Sequence, residues 1–204
     1  MKRYPPILHA VTDNSILDLP DFSKRACAIA ISPKVALHLR CTCLTARQLV
    51  ELALQTREAC ASGDAMILIN DRVDAARVSG SDGVHLPAAG LPIAAARSIL
   101  GKGAWVGRSA HTVDEALRAA DEGADYVFLG PVWRTASHPD REPLGLSPIS
   151  AIKRIPVIAI GGVTPDRVQQ AIEAGAYGVA AISALWYAAH PSAVARSMLL
   201  SFEA

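Results

Sequence analysis

The chain has 204 residues, of which 51% are hydrophobic, and its formal net charge is +1. This length and this apolar content predict a single domain over residues 1–204 with a sizeable core. The small net charge provides no basic surface for a nucleic acid or an anionic membrane, so we expect neither as a partner.

The sequence also predicts a cytoplasmic protein. It has no run of about 18 apolar residues, and its polar first residues lead directly into a strand pattern, so we expect no membrane span and no signal peptide. The four cysteines lack the C-x-x-C spacing of a zinc site, and Cys41 and Cys43 alternate around Thr42. Reduced thiols are therefore the expected state.

Apolar runs and amphipathic segments alternate along the chain. The apolar runs predict strands at residues 7–12, 35–40, 65–69, 83–86, 105–109, 125–129, 156–160 and 177–182. Helical spacing and capping residues predict helices at residues 19–30, 45–61, 92–100, 112–121, 149–154, 164–175 and 184–202, with a short one ending at residue 79. This alternation predicts an α/β fold, a compact (β/α)8 TIM barrel. An open doubly wound sheet is the alternative, but no G-x-G-x-x-G follows the first strand.

Residues 155–185 combine the last two strands with a glycine turn. Gly161 and Gly162 end one strand without side chains, and Ser183 ends the next. Thr164 is placed to cap the intervening helix, whose first residue is Pro165. Bare N–H groups and a helix start at adjacent strand ends favour a phosphate site, which barrels often build after strands 7 and 8. The alternative is a plain β-α-β packing unit with glycines for tight turns.

Other polar residues follow the predicted strands, and in a barrel such positions face the ligand site. They are His38, Arg40, Asn70, Asp71, Ser109, His111, Thr135, Ser137 and His138. Arg40 is suited to a carboxylate or phosphate, or to a surface ion pair. Asn70 and Asp71 could orient a substrate or a metal, or cap a helix. His111 is suited to acid–base chemistry or to stabilising a turn.

Three further histidines are expected outside the site. His9 and His85 lie within predicted strands, so we expect them in the core or the barrel lining, and His190 is expected at the surface. The irregular residues 133–146 are long enough to form a lid over the site.

Five motifs give the sequence a resemblance to a known family. They are ILINDRVDAARVSGSDGVHLP, VGRSAHTVDEA, GADYVFLGPVWRTASHP, IPVIAIGGVTP and GVAAIS, in this order over nearly the whole chain. They resemble the thiamine phosphate synthase/TenI superfamily, in which two activities share one barrel. The synthase joins a pyrimidine diphosphate to a thiazole phosphate carboxylate with Mg²⁺. The TenI-type enzyme tautomerises the thiazole phosphate carboxylate to its aromatic form.

The resemblance implies that the half of the site that binds the thiazole phosphate is present. Thr135 and Ser137 match the two hydroxyl positions of the synthase loop after strand 6. The phosphate cradle of the family is matched by Gly161, Gly162, Ile182 and Ser183.

The half that binds the pyrimidine diphosphate departs from the synthase pattern. The motif Q-x-R-x-K is replaced by His38, Arg40 and Thr42. Asp71 matches the first magnesium ligand, but the second ligand position is Gly90, and His138 replaces a lysine. Because a diphosphate leaving group needs Mg²⁺ and cations to absorb its charge, these replacements favour the tautomerase. A tautomerase needs two anion anchors and one group that moves a proton near neutral pH.

We therefore expect a TenI-type thiazole tautomerase of thiamin (vitamin B1) biosynthesis, an isomerase without a cofactor that takes a small thiazole phosphate. In the TenI pattern a histidine follows the strand 6 glycine, but this residue is Pro131 here. His138 is therefore expected to shuttle the proton, with His111 and His38 as its rivals. The alternatives are a thiamine phosphate synthase, a transferase with Mg²⁺ on Asp71, and a non-catalytic protein that binds thiazole or thiamin phosphates. A homo-oligomer is compatible with the sequence.

Overall fold

The protein forms a closed barrel of eight parallel strands. The structure is a computed structural model that describes residues 4–136 and 139–203. The strands are β1 (Leu8–Val11), β2 (Val35–Leu39), β3 (Met66–Asn70), β4 (Gly83–Leu86), β5 (Trp105–Ala110), β6 (Tyr126–Leu129), β7 (Val157–Ile160) and β8 (Gly178–Ala181). Each strand pairs in parallel with the next, and β8 closes the barrel against β1. The (β/α)8 barrel predicted from the sequence is confirmed.

Helices alternate with the strands and pack outside them. They are α1 (Asn14–Leu17), α2 (Phe22–Ile29), α3 (Ala46–Ala59), α4 (Val73–Ser79), α5 (Ile93–Leu100), α6 (Val113–Asp121), α7 (Ser147–Ala151), α8 (Val168–Glu173), α9 (Ser183–Trp186) and α10 (Pro191–Leu200). Single 3₁₀ turns lie at Ala61–Gly63 and Pro165–Arg167. In the described part of the chain, no helix is both long and apolar enough to cross a bilayer.

One predicted helix is divided at a proline, and one short helix was not predicted. The helix expected at residues 184–202 is α9 and α10, and α10 begins at Pro191. The helix expected at residues 19–30 is α2, and the additional helix is α1, which ends before Pro20. Proline lacks the N–H that an interior helical position needs, but it fits the first turn of a helix. The division after β8 therefore leaves α9 as a separate short helix directly at the end of that strand.

Apolar side chains fill two layers. The larger layer lies between the strands and the surrounding helices, and the smaller one lies inside the barrel. The interior layer consists of Val11, Ala36, Leu68, Trp105, Tyr126, Phe128, Ile158 and Ala180. Every residue of β1, β2, β4, β6 and β8 is buried. This explains why these strands read as continuous apolar runs in the sequence.

Three histidines also lie inside the barrel. His9, His38 and His85 are at most 1% exposed, and burial lowers the pKa of each, that of His9 to about 3. Their ring centroids lie 3.9–5.2 Å from that of Phe128. Because their pKa values are lowered, all three rings are neutral near pH 7. The sequence predicts this place inside the barrel for His9 and His85.

Candidate functional site

The carboxyl ends of the strands open onto a cavity of about 230 Å³. This is the end of the barrel at which ligands bind in enzymes of this fold. Its lining is Val11, Arg40, Asn70, His85, Pro87, Ala88, Ser109, Ala110, His111, Phe128, Gly130, Pro131, Thr135, Ile160, Gly161, Gly162, Val163, Ala180, Ala181, Ile182 and Ser183.

Nine of the thirteen predicted site residues line this one cavity. They are Arg40, Asn70, Ser109, His111, Thr135, Gly161, Gly162, Ile182 and Ser183. Ser137 and His138 lie outside the described residues. His38 and Asp71 are described and do not line the cavity.

His38 lies one layer too deep in the barrel to contact a ligand in the cavity. Its side chain is fully buried, and its Nε2 lies 2.8 Å from Nδ1 of His9. Side chains alternate along a strand, so Arg40, two residues further on, shares the face of His38 but reaches the end of the barrel. The expectation that His38 binds substrate directly is corrected by this burial.

Asp71 is also held away from the cavity. It is exposed, its φ is 65°, and its backbone N–H donates to the carbonyl oxygen of His85 at 2.9 Å. This left-handed conformation turns the chain sharply after β3, and aspartate is among the residues that tolerate it. Asn70, one residue earlier, lines the cavity instead.

The predicted phosphate end is built from close packing of two loops, those after β6 and β7. Gly161 and Gly162 have φ values of 93° and 68°, which favour glycine. A Cβ on Gly161 would lie 2.6 Å from Cβ of Pro131, and one on Gly162 would lie 2.7 Å from the carbonyl oxygen of Arg134. The glycines therefore let the loop after β6 pack on the loop after β7, a role that adds to the predicted one.

The short helix α9 completes this end of the cavity. It begins at Ser183, directly after β8, and Ile182 is its N-cap residue. Barrels often bind phosphate between the loops after strands 7 and 8 and a short extra helix. Thr164 is at the predicted cap position, but its side chain makes no capping hydrogen bond.

His111 is the half-buried histidine of the cavity lining, whereas His85 is buried. The tautomer of His111 follows from its hydrogen bonds. Its Nδ1 lies 2.6 Å from the carbonyl oxygen of Gly130, and a carbonyl can only accept, so Nδ1 carries a proton. Its backbone N–H donates to Oε2 of Glu115 at 2.6 Å. In the neutral ring Nε2 is therefore the basic nitrogen, and no described residue hydrogen-bonds to it.

Arg40 brings a positive charge to the cavity. Its backbone is fixed by Thr12, whose hydroxyl accepts from the Arg40 N–H at 2.9 Å and donates to the Arg40 carbonyl oxygen at 3.0 Å. Among the described residues, no carboxylate forms an ion pair with its guanidinium. The side chain is therefore available to an anionic group of a ligand.

The synthase reaction of the resembled family implies Mg²⁺, and the described residues do not fit that ion. The second ligand position is Gly90, and the loop that carries it is bonded to Arg108, which is 7% exposed. The Arg108 guanidinium donates to the carbonyl oxygens of Pro87 at 2.8 Å and Leu91 at 2.6 Å. A guanidinium has no lone pair for a metal and adds positive charge here, which Oε2 of the exposed Glu122, 4.0 Å away, offsets only in part. The described residues contain no cluster of three or more His, Cys, Asp or Glu side chains that could hold a metal.

One polar side chain of the described cavity lining, that of His85, was not predicted as part of the site. His85 lies inside β4, yet its ring reaches the floor of the cavity, where Nε2 lies 2.9 Å from Oγ of Ser109. The sequence signal for His85 is its position one residue before the end of a barrel strand. Its side chain there points to the same face of the sheet as those of Asn70 and Ser109.

The fold and the cavity define a (β/α)8-barrel protein with its ligand site at the carboxyl ends of the strands. The chain belongs to the thiamine monophosphate synthase (TMP-TENI) family, whose model matches residues 8–185. The family resemblance inferred from the motifs is thereby confirmed.

Individual relatives agree with this assignment. The chain is 40% identical over 195 residues to a thiamine-phosphate synthase of Methanoculleus marisnigri, covering 94% of this chain and 92% of that one. It is 47% identical over 154 residues to a thiamine biosynthesis bifunctional protein ThiM/ThiE of Symbiobacterium thermophilum, covering 74% of this chain and 32% of that protein. A solved thiamine phosphate pyrophosphorylase of Pyrococcus furiosus superposes with a TM-score of 0.81 at 28% identity, covering 97% of this chain and 95% of that one. These names support a place in thiamine biosynthesis and favour the transferase over the tautomerase.

Proposed function

We propose that the protein is an enzyme of thiamine biosynthesis that aromatises a thiazole phosphate carboxylate by a proton shift. The observation that carries this proposal is the charge of the cavity. Its described lining has one guanidinium, Arg40, and two imidazoles, His85 and His111, but no Lys, Asp or Glu. Such a lining can hold two anionic groups and exchange a proton, whereas a departing diphosphate needs several cations.

The substrate is proposed to bind through its two anionic groups. The phosphate lies against Gly161, Gly162 and the start of α9, where bare backbone N–H groups favour an anion. The carboxylate lies against Arg40, whose guanidinium can donate two parallel hydrogen bonds to it. Hydroxyl and amide side chains, those of Asn70 and Ser109, hold the ring between the two anchors.

His111 is proposed to move the proton. Its Nδ1–H is committed to Gly130, so Nε2 takes the proton from the ring carbon next to the carboxylate and returns it to the exocyclic carbon. The electrons of the broken C–H bond close the aromatic ring. His85 is unsuited to this task because burial lowers its pKa well below the usual value. His138 remains the shuttle predicted from the sequence, and paired variants decide between the two.

The second candidate is the thiamine phosphate synthase. The observation that favours it is the name carried by relatives that share about 40% identity over more than nine tenths of both chains. Against it stand Gly90, the buried Arg108 beside it and the removal of Asp71 from the cavity. Losing one preorganised charge contact costs on the order of 10²–10³ in rate, so the missing carboxylate at position 90 would leave a slow transferase.

A two-condition assay separates the candidates. The purified protein is given the thiazole phosphate carboxylate either with EDTA or with Mg²⁺ and hydroxymethylpyrimidine diphosphate. We expect the aromatic thiazole phosphate under both conditions. Mg²⁺-dependent thiamine phosphate formation at ~1 s⁻¹ or faster would support the synthase instead, and tight binding without any product would support the non-catalytic protein.

The anchor is tested in the same assay. Arg40→Met removes a charge-assisted contact, which we expect to weaken substrate binding by about 10- to 100-fold. Arg47→Met is the matched control, because Arg47 pairs with Glu51 on the exposed side of α3. An unchanged dissociation constant for Arg40→Met would place the carboxylate elsewhere.

A further inference from the structure

Inside the barrel, the side chains of His85 and Tyr126 meet across an intervening strand. His85 of β4 is in register with Gly107 of β5, and Gly107 is in register with Tyr126 of β6. A Cβ on Gly107 would lie 2.5 Å from Oη of Tyr126 and 2.6 Å from Nδ1 of His85. The absent side chain of Gly107 is therefore what allows the two polar groups to approach to 3.3 Å.

These residues form a hydrogen-bonded row that ends in the cavity. Tyr126 Oη contacts His85 Nδ1, and His85 Nε2 contacts Ser109 Oγ at 2.9 Å. Tyr126 is fully buried and His85 is 1% exposed, whereas Ser109 lines the cavity. Among the described residues Tyr126 Oη has no other hydrogen-bond partner.

The direction of the row follows from the buried phenol. Burial raises the pKa of Tyr126 well above its usual value, so its O–H is present and must donate, and His85 Nδ1 is its acceptor. The opposite direction would leave the phenol proton without an acceptor, at a cost of about 1–3 kcal/mol. His85 is neutral, because burial, His9 and Arg108 lower its pKa, so its single proton is on Nε2 and is donated to Ser109.

We propose that Tyr126 and His85 are positioning residues that direct the Ser109 hydroxyl into the cavity as a hydrogen-bond donor, so that Ser109 selects an acceptor atom of the substrate. A serine oxygen that accepts from His85 keeps its own proton for the ligand. On the proposed function, on which this step rests, the matching group is an unprotonated carboxylate oxygen or ring nitrogen of the thiazole phosphate. An analogue with C–H in that place leaves the hydroxyl unpaired and binds more weakly.

The direction of the row is tested first in the ligand-free protein, independently of any reaction. Nitrogen-15 NMR of labelled histidine reports which ring nitrogen of His85 carries the proton. We expect the neutral Nε2–H form from pH 6 to 8, and Tyr126→Phe to abolish the preference or weaken it. Tyr177→Phe is the matched control, since its hydroxyl donates to the Pro5 carbonyl oxygen at 3.0 Å, outside the row. An Nδ1–H form of His85 in the unmodified protein would overturn the proposal.

A double-mutant cycle then tests whether His85 acts through Ser109. Binding of the thiazole phosphate is measured for Ser109→Ala, His85→Leu, and both together, with His85→Gln as the variant that keeps an N–H donor. We expect each single variant to weaken binding by about tenfold, His85→Gln to restore part of the loss, and the double variant to be no weaker than Ser109→Ala. Additive losses would overturn the positioning role. If the protein bound the ligand but did not convert it, the proposed function would fail while this cycle still decided the row.

Discussion

His111 donates its Nδ1–H to the carbonyl oxygen of Gly130 across 2.6 Å, and this contact decides which ring nitrogen can take a proton. The acceptor belongs to the glycine that directly follows β6 and precedes Pro131. In the resembled tautomerases the histidine follows this glycine, whereas here a histidine from the neighbouring strand end is bonded to it. The acid–base group is therefore proposed to come from β5 rather than from β6.

Replacing His111 tests this role. General acid–base groups contribute about 10²–10⁴-fold, so we expect His111→Gln to lower kcat for aromatisation by that order while binding changes a few-fold. His138→Ala is measured alongside it. If His138→Ala loses turnover and His111→Gln keeps it, the shuttle is His138, as the sequence predicts.

Gly162→Ala tests the packing at the phosphate end. Its φ of 68° costs an alanine about 1–2 kcal/mol, and the new Cβ also meets the Arg134 carbonyl oxygen. Gly80→Ala is the matched control, because Gly80 has a φ of 62° and open space around it. Urea unfolding should show a larger loss for Gly162→Ala, and only this variant should bind inorganic phosphate more weakly. Equal losses in the free energy of unfolding for both variants would show that the contact of Gly162 with the loop after β6 does not contribute to stability.

The buried histidines predict a stability that falls in mild acid. The folded pKa values of His9, His38 and His85 are below 6.5, that of His9 at about 3. Below pH 6.5 the unfolded chain binds protons that the folded barrel does not, so the free energy of unfolding falls as the pH falls. Each histidine contributes up to about 1.4 kcal/mol per pH unit.

Urea unfolding at pH 7, 6 and 5 measures this dependence above the range in which carboxylates titrate. His190→Gln serves as the control, because His190 is exposed at the start of α10 and should leave the slope unchanged. A free energy of unfolding that is constant from pH 7 to pH 5 would contradict the burial of neutral imidazoles.

The fold could be predicted from the sequence because each barrel strand is a short apolar run that ends at a turn. Helix boundaries were harder to predict. Pro191 divides the segment that was expected to form one last helix, and the four-residue α1 is too short for helical spacing to reveal. The place of Arg40 and Ser109 at the cavity was predictable because strand ends in a barrel share one face. His38 was wrongly expected to bind substrate. It points into the barrel like Arg40 but lies two residues earlier in β2, and this step is enough to bury it below the cavity. The row from Tyr126 to Ser109 was not predictable, since it depends on the absent side chain of Gly107. Gly107 lies between His85 and Tyr126 only because of the register of β4, β5 and β6.

Aromatisation in deuterated water is the most direct test of the proposed proton shift. The thiazole phosphate carboxylate tautomer is mixed with the protein in D₂O with EDTA, and proton NMR follows the product over time. We predict an enzyme-dependent aromatic product, formed without Mg²⁺ and without any pyrimidine diphosphate. Its exocyclic carbon carries either the proton that Nε2 took from the ring carbon or, where Nε2 exchanges with D₂O before the return, one deuterium. No enzyme-dependent conversion under these conditions, together with Mg²⁺-dependent formation of thiamine phosphate by the same sample, would contradict this prediction.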